Sequence, residues 1–127
     1  MTNRTPSLTS LQYWAWCWLH KTMPKENVSS LPERALRVFE EAAELCQAAG
    51  VDKSLLMRQT EYTYARPVGT VPQEIAGVLT TILGAASCAG IQAEDALMKE
   101  LTRLDTPDVV EKVRRKQESK INALPSE

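Results

Sequence analysis

Three observations predict an all-α chain of about five to six helices. Apolar residues recur at spacings of three and four, as in Leu36, Phe39, Ala43 and Cys46, which draws one stripe along an α-helix. Prolines and glycines such as Gly50, Pro67, Gly69 and Gly90 punctuate the apolar segments where helices would stop and start. No stretch sustains the period-two alternation of a half-buried strand, and there is no sequence repeat or low-complexity linker.

Residues 1–7 are polar, contain Pro6 and are expected to fray, with Ser7 capping a first helix from Leu8 to about Lys21. Met23 to Ser30 reads as a loop. Ser30, Pro32 and Glu33 form a helix start, with a capping hydroxyl, a proline in the first turn and a carboxylate three residues on. The second helix runs to Gly50, with Leu36, Phe39, Ala42 or Ala43, Cys46 and Ala49 as its core stripe. Asp52 is placed to cap a third helix from about Lys53 to Tyr64, which Arg66-Pro-Val-Gly69 ends. The fourth begins near Pro72 and ends at Gly90; its Ala76, Gly77, Gly84, Ala85 and Ala86 allow another helix to approach closely. A fifth spans Ala93 to Leu104, and Thr106-Pro107-Asp108 opens a sixth that reaches about Asn122.

With 127 residues, 43% of them hydrophobic, the chain suits one domain over 1–127, with 1–7 and 123–127 loose. A formal net charge of −1 argues against nucleic acid as a partner. Leu11 to Leu19 is too short to cross a bilayer and lacks a cleavage site, so neither membrane insertion nor secretion is expected. Cys17, Cys46 and Cys88 are odd in number, lack CxxC spacing and fall in apolar helical patterns where buried thiols are common, which points to a reducing, cytoplasmic setting. Cys17 and His20, three apart, read as core packing rather than zinc ligands.

The chemistry-bearing pattern is acidic. Residues three and four apart share a helix face, so Glu41 and Glu44 can hold one cation and Glu40 and Glu44 a second, while Glu74 stands on a later helix. Carboxylates that converge repel one another until a cation sits among them, and hard oxygen ligands with an open side suit magnesium carrying phosphate oxygens. By spacing alone, an EExxE run equally describes a solvated helical face.

The order of these acids resembles the MazG-like all-α nucleoside triphosphate pyrophosphohydrolases, whose signature is ExxE followed some tens of residues later by ExxD. Glu41-Ala-Ala-Glu44 matches the first half, Glu40 the glutamate often found before it, and Glu74 the first acid of the second half. The likeness covers roughly Glu33 to Lys116 and departs at Gly77, where an acid is expected. Glu33-Arg34, Arg37, Arg66-Pro67-Val68-Gly69 and Gln73-Glu-Ile-Ala-Gly-Val78 look like a phage and mobile-element branch that carries glycine there.

The resemblance implies a MazG-like helical bundle, assembled as a homodimer or tetramer. It implies hydrolysis of a (deoxy)nucleoside triphosphate to the monophosphate and pyrophosphate as a housecleaning activity, with magnesium, or manganese in its place, as cofactor. Glu41, Glu44 and Glu74 would be metal ligands, Glu40 and Glu41 the candidates for orienting the attacking water, and Glu40 or Glu61 an additional metal or water ligand. Arg66, or Lys112, Arg115 and Lys116 of the C-terminal helix, would hold the substrate phosphates; the basic run also reads as a solvated face. Trp14 and Trp18 lie on one face of the first helix and Trp16 nearly opposite, a pattern that favours packing against a helix or subunit over base stacking. Two other readings stay open: a catalytically weakened nucleotide-binding or regulatory homologue, motivated by Gly77, and a helical interaction module whose acidic face only solubilises it.

Overall fold

The structure, a computed structural model, describes residues 6–123, with side chains described through Ser119. Most of the expected loose ends therefore lie outside the described residues. Within them the chain is all-α: α1 (Leu8–Thr22), α2 (Lys25–Val28), α3 (Leu31–Ala48), α4 (Lys53–Tyr64), α5 (Val71–Cys88), α6 (Ala93–Leu104) and α7 (Pro107–Ala123). The expected helices are all present. The correction is α2, a single turn inside the segment read as a loop; four residues are too few to show periodicity. The chain divides into two compact units, one formed by Met1–Ser30 with Ile91–Glu127 and the other by Leu31–Gly90.

In the first unit α1 packs against α2, α6 and α7, and α6 also packs against α7. Ser7 caps α1 as expected, its hydroxyl accepting from the Ser10 N–H at 3.2 Å. The core is small: Leu11, Thr22, Met23, Val28 and Leu101 are buried, and the Thr22 hydroxyl is satisfied by the Leu19 carbonyl at 3.1 Å. Polar ties surround it. The Trp14 indole donates to Asp105 at 2.9 Å and the Trp18 indole to the Leu104 carbonyl at 3.0 Å, so this face of α1 meets the end of α6. Lys21 pairs with Asp105 at 2.8 Å, and Arg114 of α7 donates to the Lys21 carbonyl at 2.7 Å, where α1 runs out of its own donors. Trp16, on the opposite face, stands edge-on to His20 with ring centroids 4.8 Å apart.

The second unit holds α3, α4 and α5. Gly50, at φ +82°, closes α3: its N–H reaches the Gln47 carbonyl at 3.1 Å and the Val51 N–H reaches that of Cys46 at 2.9 Å. Both orphan carbonyls are satisfied by a left-handed residue that glycine adopts without a Cβ penalty. Asp52 precedes α4 but makes no side-chain cap; its carboxylate instead accepts from the Ser54 hydroxyl at 2.9 Å.

The apolar stripes of these helices are present and uncovered. No residue of α3, α4 or α5 is buried. Phe39 is 54% exposed, and every large apolar side chain of α5 from Val71 to Leu83 is at least 43% exposed. The stripe expected to be core is thus a surface within one chain, because periodicity specifies which face needs covering and not what covers it. Cys88 is likewise exposed rather than buried, while Cys17 and Cys46 are half-buried, and all three thiols are free.

Candidate functional site

The polar face of α3 carries six charges. At 3.6 residues per turn Glu33, Arg34, Arg37, Glu40, Glu41 and Glu44 fall within an arc of about 120°, opposite the apolar stripe. Arg37 lies between two of the acids: its Nε is 3.3 Å from Glu33 and its Nη1 is hydrogen-bonded to the Glu40 carboxylate. Glu40, the expected ligand or water-orienting group, is therefore already charge-paired. A cation at Glu40 would have to displace or share that guanidinium.

Glu41 and Glu44 differ. Both are exposed, one turn apart, and neither has an ion-pair or hydrogen-bond partner among the described residues. Two like charges at this spacing repel each other, so a divalent cation placed between them gains from both.

Glu74 occupies the first turn of α5, where the helix dipole favours a carboxylate. Its side chain folds back over Gly69. A Cβ added at Gly69 would run into the Glu74 carboxylate, with the carboxyl carbon 3.2 Å away, so the glycine leaves room for that rotamer. Arg66 lies on the same groove, which Tyr64, Val68 and Glu74 also line between the end of α4 and the start of α5. Its guanidinium carbon lies over the Tyr62 ring, 4.7 Å from the centroid, a cation–π contact.

Within one chain Glu74 and Arg66 share a groove and Glu41 and Glu44 share a helix face, but these pairs do not form one cluster. No group of three or more His, Cys, Asp or Glu able to hold a metal occurs among the described residues. Apart from its chain neighbours and the nearby backbone of its own helix, nothing lies within 4 Å of where a Cβ at Gly77 would stand. Glu61 of α4 is exposed and does not reach that space.

The basic residues of α7 belong to the other unit. Lys112, Arg115 and Lys116 share an exposed face with Asp108 and Glu111, and Arg115 is 3.4 Å from the Glu111 carboxylate. This is the self-neutralising i to i+4 pattern of a solvated helix, and it lowers the positive charge available to a ligand. The pairing of Arg37 with Glu33 and Glu40 follows the same spacing rule and is open to sequence reasoning.

Among the described residues no single helix is long and apolar enough to cross a membrane. No protein-family model, curated protein or solved structure matches the chain.

Proposed function

We propose that the chain is a magnesium-dependent nucleoside triphosphate pyrophosphohydrolase that works as a homodimer or tetramer, converting a (deoxy)nucleoside triphosphate to the monophosphate and pyrophosphate. The observation that carries this reading is the pair Glu41 and Glu44: two exposed carboxylates, one turn apart, with no cation of the protein beside them, in a sequence that resembles ExxE of the MazG-like enzymes. Hard, unneutralised oxygen donors on an accessible face fit magnesium, and manganese by the same chemistry.

Glu41 and Glu44 would hold the metal, with Glu74 completing the set from α5 of the same or another copy. Magnesium bound there supplies charge neutralisation at the phosphate oxygens and a more acidic water. Arg66 shares the groove with Glu74 and would donate to a phosphate there, with the Tyr62 ring beneath its guanidinium as a support. Glu40 acts as a partner that orients Arg37, and as a water-orienting group when that ion pair opens.

The test is pyrophosphate release from a panel of nucleoside triphosphates with magnesium. Glu41→Gln and Glu44→Gln should each lower turnover at least about a hundredfold, the scale at which a catalytic metal is lost, with helical circular dichroism unchanged. Wild-type turnover in both variants would exclude the assignment. The open space at Gly77 favours a second reading, a nucleotide-binding homologue with weakened catalysis; it predicts nucleotide and magnesium binding with no release of pyrophosphate by the wild-type chain.

A further inference from the structure

Arg34 is an arginine without an adequate anion. Its Nε and Nη2 are enclosed by protein and have no hydrogen-bond partner, and the carboxylate it can pair with, Glu33, lies 4.0 Å away. Arg37, one turn on, holds both Glu33 and Glu40, and its own Nε also lacks a hydrogen bond. Enclosed guanidinium donors left unpaired are costly, since the desolvation has occurred and the compensating bond has not. Burial pushes the Arg34 guanidinium below its ordinary value, Glu33 opposes that, and Arg37 adds to it by repulsion.

Position gives the orphan donors a use. Arg34, Arg37, Glu41 and Glu44 follow one another at spacings of three, four and three, so the two guanidiniums lie on the same face of α3 as the two free carboxylates, about 10 Å along the axis from one pair to the other. Arginine and glutamate side chains are long enough to meet across that distance. A ligand that is anionic at one end and carries a divalent cation at the other matches such a face, and a carboxylate ligand without a cation would be repelled by Glu41 and Glu44.

We propose that Arg34, supported by Arg37, binds the phosphate oxyanions of a metal-bound polyphosphate on the α3 face that carries Glu41 and Glu44. The identity of the metal-carrying substrate rests on the pyrophosphohydrolase reading; the oxyanion site itself rests on the orphan donors. The guanidinium fork donates two parallel bonds to a phosphate, which an ammonium cannot reproduce. Arg37 acts as a positioning residue, held by its two carboxylates beside Arg34.

The probe is inorganic tripolyphosphate, measured by calorimetry and thermal shift with and without magnesium. The wild-type chain should bind it, and R34Q should weaken that binding at least about tenfold, the loss expected for a charge-assisted pair. R34K should fall between the two. The rise in melting temperature caused by magnesium alone should be the same in R34Q as in wild type, which a merely structural loss at Arg34 would not preserve. Should R34Q not fold, R34K carries the comparison, with binding equal to wild type counting against the site. Binding of tripolyphosphate by R34Q within twofold of wild type, or no binding by wild type, overturns the proposal. Failure of the enzymatic reading is seen separately, as tripolyphosphate binding that depends on Arg34 without pyrophosphate release from any nucleotide.

Discussion

Asp105 ends α6 and at the same time accepts from the Trp14 indole and the Lys21 ammonium of α1. The hydrogen bond from Lys21, then that from Trp14, lowers its pKa below the usual aspartate value of 3.8. A carboxyl whose folded pKa is depressed contributes stability above its unfolded pKa, and that contribution disappears as pH falls through the folded value. The first unit should therefore lose stability on acidification below about pH 4, and Asp105→Asn should flatten that limb while lowering stability at neutral pH. Thermal melts followed by tryptophan emission between pH 3 and 7 check this; an acid limb identical in Asp105→Asn would show that other carboxylates set it. Gly77 is the opposite kind of residue, since a Cβ there meets nothing within the chain. Gly77→Ala should stabilise α5 by about 1 kcal/mol through helix propensity, seen as a higher melting temperature. A lower one would reveal a second copy pressed against that glycine.

At the scale of elements, the helix boundaries were legible because each is written locally, in Ser7, Pro72, Pro107, Gly50 and Gly90. Gly50 is the sharpest case, and Gly50→Ala should cost about 1 kcal/mol in a thermal or urea melt because alanine resists φ +82°. Residue type makes Asp52 a cap, but its carboxylate turns to the Ser54 hydroxyl, a choice between two nearby donors that composition does not decide. The same division runs through the site. Glu41 and Glu44 were legible as a pair because their relation is set by helix pitch alone. The relation of either to Glu74 depends on how α3 and α5 come together, and spacing along the chain carries no information on that. The enclosure of Arg34 also escaped the sequence, because an arginine three residues into a helix usually lies in water.

For the molecule as a whole, the second unit poses a problem of free energy. Helices of 18 and 12 residues are marginal alone in water, and most helical stability in proteins comes from covering an apolar face. Here α3 and α5 have equal length and each carries an apolar face, yet neither buries a residue. Covering the half-exposed large apolar side chains of these two helices would remove on the order of 800 Å² per copy, the size of a standard stable interface. A second copy supplies matching α3 and α5 helices, and an isologous pairing would present each with the partner it lacks, with Glu74 of one copy available to Glu41 and Glu44 of the other. Light scattering should accordingly give a mass of at least twice 14.2 kDa. Ile82→Glu, on the apolar face of α5, should shift the chain toward the monomer and lower the helical signal of the second unit. All three tryptophans lie in α1, so their emission follows the first unit and should change little in that variant. A fully helical wild-type monomer at 14.2 kDa would remove the pairing, and with it the route by which the acids of α3 and α5 meet.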